Sequence, residues 1–222
     1  MFARFTPNVL LSAAVALSVI LAAVMLGLAM DQRWLGLKLT SEPRLATPTS
    51  FEGLWIGAVE PDSPAAEQPG AGIPASVSSL VTISGQDGRR IQLTSQDLME
   101  EPDALETYAD MRAFFARQDE IAAILRHGPV GLEVAFLGET QSYSVFPKRQ
   151  RPVSSLPPAF WMQIGVGLAG FWIGAWIWAL RRGEWATRFL LLAGAGLMIS
   201  AFPAAVYSTR ELALPGELFR VL

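Results

Sequence analysis

Three runs in this chain contain no charged residue: Val9–Leu28 (VLLSAAVALSVILAAVMLGL), Phe160–Leu180 (FWMQIGVGLAGFWIGAWIWAL) and Phe189–Tyr207 (FLLLAGAGLMISAFPAAVY). Each is about long enough to cross roughly 30 Å of hydrocarbon as a helix. An ionised side chain at the middle of a spanning helix costs roughly 2.5–3.5 kcal/mol. Since 17% of the chain is charged, three gaps of this length point to three transmembrane helices. The first run also carries marks of a secretory signal, with Arg4 ahead of it and the small-residue site Gly27-Leu28-Ala29 near its end. Its length exceeds the roughly 7–15 apolar residues of a signal core, which favours an uncleaved anchor.

Arg and Lys in the short connections set the orientation. The turn Arg181–Arg188 (RRGEWATR) holds three Arg and is expected on the cytoplasmic side. The N-terminal tail is then cytoplasmic, and both the segment 31–157 and the C-terminal tail are extracytoplasmic. That segment carries 11 Lys and Arg against 17 Asp and Glu, a net −6, which offers nothing to nucleic acid. The chain has no Cys, so the outer segment must be held by an ordinary core rather than a disulfide.

About 125 residues suffice for one small domain, and the pattern along them is mixed α and β. Leu54–Val59 and Ser79–Ser84 read as strands closed by turn-forming stretches, Glu60–Pro64 and Gly85–Gly88, and Arg90–Leu93 alternates as a short strand would. Leu105, Tyr108, Met111 and Phe115, continued by Phe114, Ile121 and Leu125, recur at helical spacing between a start at Pro102-Asp103 and a stop at Gly128-Pro129. Asp119-Glu120 is expected to mark a break or exposed turn in that helix. Gly131–Phe136 and Gln141–Phe146, joined by the four residues 137–140, read as a hairpin. Residues 65–75 are expected to form a loop with one helical turn at Ala65–Gln68.

Catalytic chemistry has little to stand on. The one His, His127, sits at a helix end, where the dipole favours it. Without Cys there is no Cys-His pair, and no GxSxG, HExxH or phosphate-loop string occurs. The expectation is no catalytic residue, no metal and no cofactor in these residues, and no kinase transmitter.

Read in order, the strand Trp34-Leu35-Gly36-Leu37-Lys38-Leu39, then GLWIGAVEPDSPAAE, SLVTISGQDG, a helix and GPVGLEVAFLGETQSYSVFP resemble a bacterial PDZ domain over about Trp34–Pro147. Val59–Ala66 is similar to the family's V-x-P-x-S-P-A-A turn, and Val81–Gly88 stands where the family has I-x-x-I-N-G. Where the family has Gly-Asp ahead of that strand, this chain has Ser78-Ser79. The resemblance implies an α+β PDZ-like extracytoplasmic domain inserted between transmembrane helices, with three spans and the possible start of a fourth. It also implies a peptide groove. Backbone amides of Trp34, Leu35, Gly36, Leu37, Lys38 and Leu39 would hold a ligand strand and its carboxylate against Leu105, Tyr108, Met111, Arg112 and Phe115 of the helix.

One helix, a PDZ-like outer domain and further helices together resemble the input half of ComP-type sensor histidine kinases of the bacterial inner membrane. This implies a signal-input module that binds a peptide or protein ligand outside and couples to helices in the lipid bilayer. On this reading the chain is the sensing end of a longer kinase, its last residues, GELFRVL, suited to open a fourth helix. The alternative is a stand-alone membrane-anchored scaffold or adaptor for an envelope protease or transporter.

The expected division is 1–30 for the tail and first helix, 31–147 for the outer domain, 148–158 for a linker and 159–181 for the second helix. A cytoplasmic turn at 182–188, a third helix at 189–208 and an outer tail or fourth-helix start at 209–222 complete it. Lys148-Arg149-Gln150-Arg151 suits either anionic headgroups or a solvated linker. Gly167, Gly170 and Gly174 suit a close helix contact or a homodimer seam. Trp161, Trp178 and Trp185 fit interfacial belts, and Trp172 and Trp176 lie deeper, where they can line a helix contact.

Overall fold

The computed structural model describes residues 7–41, 53–68, 72–75, 78–99 and 105–214. It divides into two compact units, one built from residues 1–30 and 156–209 and the other from 31–155 and 210–222.

The first unit contains α1 (Pro7–Met30), followed much later in the chain by two further long helices. All three are long and apolar enough to cross a membrane, which fits a multi-pass membrane protein. Their outer faces are bare hydrocarbon: Leu17, Ile20, Met162, Ile173, Leu192 and Ile199 are all exposed. Contiguous apolar surface of this kind is stable against lipid and not against water. The inner faces pack by closeness, because burying apolar surface drives no association between helices already in lipid.

The second unit is α+β. Among the described residues, β1 (Leu37–Thr40), β2 (Leu54–Val59), β3 (Ser78–Ser84) and β4 (Arg90–Gln92) precede α2 (Tyr108–Arg126), which is followed by β5 (Val130–Phe136) and β6 (Glu139–Val145). The six strands form one antiparallel sheet in the order β1-β2-β3-β5-β6, with β4 paired to β3 beyond the point where β2 leaves it. Val130, Leu132 and Val134, alternating along β5, and Leu80 and Ile83 of β3, separated by its register shift, are buried in the core with Leu54, Ile56, Ile121, Ile124 and Leu125.

Leu54–Val59, Ser79–Ser84, Arg90–Leu93 and Gly131–Phe136 lie within a residue of strands found, whereas the strand expected at Trp34–Leu39 begins only at Leu37, after the positive-φ turn at Gly36. Two further corrections concern a hairpin and a helix. The hairpin turn is only Leu137-Gly138, both at positive φ (49° and 87°), the two-residue geometry whose twist matches the flanking strands. The expected four-residue connection 137–140 is thus shorter by two, and Leu137 takes a conformation that Leu rarely adopts. The expected break at Asp119-Glu120 does not occur: α2 runs unbroken from Tyr108 to Arg126, with Thr107 as its cap accepting from the Asp110 amide at 3.1 Å. The expected start at Pro102-Asp103 lies outside the described residues.

The supposed break is the point where α2 is anchored. Asp97, fully buried at the end of the short 3-10 turn Ser95–Leu98, accepts from Arg117 Nε at 2.5 Å and Nη2 at 2.9 Å and from the Thr94 amide at 2.8 Å. Gln118 Nε2 donates to the Asp97 carbonyl at 3.2 Å. The carboxylate also raises the Arg117 pKa, chiefly through their hydrogen bond.

In the first unit α3 (Pro158–Leu180) and α4 (Trp185–Ser208) cross on glycine. Gly167, Gly170 and Gly174 of α3 all face α4. A Cβ at 174 would stand 2.8 Å from the Leu190 carbonyl oxygen, and one at 167 would stand 3.0 Å from the Phe202 ring. A Cβ at Gly194 would strike the Gly170 carbonyl. The glycines thus serve a close contact within the chain. Trp172 Nε1 donates to Ser18 Oγ at 2.8 Å, joining α3 to α1, and Ser18 in turn donates to the Val15 carbonyl at 2.9 Å. Gly194→Val is expected to destabilise the full chain in detergent by about 1–3 kcal/mol through overpacking. Gly196→Val, where nothing lies within 4 Å, should change it by only a few tenths of a kcal/mol, roughly the difference in helix propensity. Equal unfolding midpoints for the two variants would show that the crossing can open freely.

Candidate functional site

The site is built on the segment between α1 and β1. Trp34 is tied across to Lys148 by a pair of backbone hydrogen bonds, each 3.0 Å, and the Lys148 ammonium stands 5.8 Å from the centre of its ring. Lys148 also donates to Glu67 and to the Asp62 carbonyl, both at 2.9 Å. Of the two readings of the basic stretch, neither describes Lys148, which is a structural clamp, nor Arg151, which is buried and donates to Ser155.

Past Trp34 the chain turns its polar groups in opposite directions. The Leu35 carbonyl accepts from the Ala65 amide at 3.0 Å and the Gly36 carbonyl from the Glu60 amide at 2.8 Å. The two N–H groups point elsewhere together: Leu35 N donates to Glu211 Oε2 at 2.7 Å and Gly36 N to Glu211 Oε1 at 2.8 Å. This is bidentate capture of one carboxylate by adjacent backbone amides. Gly36 is required twice over, since its φ is +85° and a Cβ there would collide with the Ser63 side chain. The turn Ser63–Glu67 is braced by its own helical bond, Glu67 N to Ser63 O at 3.0 Å, matching the turn expected near Ala65–Gln68.

Leu35 and Leu37 are buried in the core, Leu39 packs at its edge, and Lys38 is exposed and pairs with Glu60 at 3.4 Å. β1 is the end strand of the sheet order. The helix side of the expected groove is less complete. Leu105, Met111 and Phe115 are half-buried, whereas Tyr108 (82% exposed) and Arg112 face solvent. Among the described residues the core takes Ile121, Ile124 and Leu125 from α2 and none of those five.

What lies beside the loop instead comes from beyond α4. Leu212 joins the core that holds Leu35 and Leu37, Ala213 packs against it, and Leu214 is buried. Arg210 donates to the Met99 carbonyl. Arg151 acts electrostatically on Glu211 and has its own pKa lowered, chiefly by burial. Neither Glu211 nor Arg151 stands out in the sequence, because nothing in the local pattern of either shows that they meet 60 residues apart.

Burial pushes the Glu211 carboxyl from 4.5 up to about 7, against the Leu35 and Gly36 amides and Arg151, with Glu60 adding to the rise. No protein-family model matches the chain, and neither does any curated protein or solved structure.

Two outcomes follow. Gly36→Ala should cost about 2–4 kcal/mol, from the left-handed backbone and the collision with Ser63, in urea unfolding of the full chain. The Glu211 contribution is fully present below pH 4.5, where the released group also holds its proton, and is lost as pH rises to about 7. Native protein should therefore lose on the order of 1–3 kcal/mol relative to Glu211→Gln between pH 4.5 and 7.5. Parallel pH profiles for the two proteins would show that Glu211 titrates as it does in water.

Proposed function

We propose that the α+β unit is a PDZ-like recognition module on the outer side of a bacterial inner membrane, and that it reads a carboxylate on a peptide or protein ligand. The observation that carries this reading is the pair of adjacent amides, Leu35 and Gly36, donating to both oxygens of one carboxylate. They stand at the start of the end strand of a sheet, where an extended ligand can add its own backbone. The chain order Trp34-Leu35-Gly36-Leu37, the glycine at the strained position and the buried Arg151 nearby all suit that chemistry.

The module passes its state to the membrane helices, as the input part of a sensor of the ComP histidine-kinase kind. Support for this coupling is covalent: Leu35 stands five residues beyond the end of α1, and Glu211 three beyond the end of α4. Movement of either residue is not absorbed by a long linker.

The test is a pool of random hexapeptides presented to the full chain in lipid nanodiscs, once with free C-termini and once amidated. Loss of a charge-assisted pair of hydrogen bonds costs roughly 1.5–3 kcal/mol, so free acids should bind at least about tenfold tighter. Gly36→Ala should erase that difference. Equal retention of acid and amide pools by native protein would end the carboxylate reading.

A further inference from the structure

The carboxylate loop is already filled by the chain itself. Residues 210–214 do what a bound ligand would do. Glu211 supplies the carboxylate, Leu212 and Leu214 supply buried apolar anchors, and Arg210 fixes the entry of the segment on the Met99 carbonyl. The segment is also tethered, with Thr209 alone between the last residue of α4 and Arg210. Resting on the carboxylate reading given above, we propose that residues 210–214 are a built-in competitor: they hold the site closed until a peptide with a free terminal carboxylate and leucine-like side chains displaces them, which frees the chain that follows α4.

The charges argue for a displaceable occupant rather than an ordinary core element. A core strand contributes alternating apolar side chains, whereas this segment places an ionisable carboxyl among protein atoms, where it is held by the Leu35 and Gly36 amides and feels the opposed charges of Arg151 and Glu60. Desolvating a carboxylate is costly and is offset here by only two backbone amides and one cation. A terminal carboxylate brought in by a ligand meets the same donors while Glu211 returns to water.

Competition of this kind has an arithmetic signature. A tethered occupant acts at a local concentration on the order of millimolar, and the apparent affinity of an outside ligand is reduced by the fraction of time the site stands open. Weakening the occupant therefore strengthens the outside ligand.

The probe is the labelled hexapeptide Thr-Arg-Gln-Leu-Ala-Leu, residues 209–214 with Gln in place of Glu so that its free C-terminus is its only peptide carboxylate, beside its amidated twin. In Glu211→Gln one carboxylate oxygen becomes an NH2 group that faces an N–H donor and cannot accept from it. Full chain carrying this change in nanodiscs should bind the free-acid peptide at least about tenfold tighter than native chain does, with no gain for the amide. The chain has no Cys, so Ala213→Cys gives a single reporter thiol on the segment. Its maleimide modification should be slow in the native background and faster by about tenfold or more in Glu211→Gln or with saturating acid peptide.

If the acid peptide binds native and Glu211→Gln chains equally, and the thiol reacts at the same rate in all conditions, the segment is a permanent part of the fold. The built-in competitor is then overturned while the carboxylate reading stands. If neither chain prefers acid over amide, the reading itself fails and the competitor with it. Should Glu211→Gln not fold, the Ala213→Cys rate with and without acid peptide still decides: acceleration supports displacement, and an unchanged rate overturns it.

Discussion

The α+β unit depends on how the chain disposes of four polar groups at Leu35 and Gly36. Two carbonyls point one way, into the amides of Ala65 and Glu60, and two amides point the other way, into a single carboxylate. Buried backbone groups must be paired, so this division fixes the end of β2 and the turn after it on one side of the loop. On the other side it leaves two adjacent N–H donors, which the Glu211 carboxyl completes. Gly36 makes the division possible, because its positive φ turns its own carbonyl to the Glu60 amide and the missing Cβ leaves room for Ser63. Lys148 then closes the structure from behind, pairing with Trp34 and reaching Glu67 in the turn.

Much of the local architecture was legible. Leu54–Val59 is apolar and stops at a Pro-rich turn, and Gly131–Phe136 alternates as a half-buried strand must; both are strands. The three helices of the first unit follow from the absence of charge alone. Failures occurred where a distant partner overrode a local preference. Arg117-Gln118-Asp119-Glu120 resembles a polar interruption, yet Arg117 and Gln118 grip a buried aspartate 20 residues earlier and hold the helix straight through it. Leu137 takes a conformation normally left to Gly or Asn because the seven-residue pairing of β5 with β6 dictates the turn.

The candidate site divided along the same line. Its loop was readable, since Trp-Leu-Gly-Leu next to a small-residue turn is a local signature. Its contents were not. Glu211 is one acidic residue in a short tail, and Arg151 is one cation in what looks like a linker. Burial gives each its significance, and burial is a property of the whole fold. The helix side illustrates the converse: Tyr108 fits the helical period, but the period does not say where a helix meets its neighbours, and α2 is buried only from Phe114 on, with the core cluster taking Ile121, Ile124 and Leu125.

The hydrogen bond from Trp172 to Ser18 has a mechanical side. α1 is apolar nearly all round, so its burial in lipid changes little when it turns about its axis. Its setting in the helix cluster rests on the packing of Ala14, Leu21, Ala22, Met25, Leu26 and Ala29 and, among the described residues, on this polar bond to α3. Such bonds are worth roughly 0.6–1.7 kcal/mol within a membrane. The Trp172 bond thus acts as a detent, marking one angular setting of a helix whose apolar surface is otherwise nearly uniform.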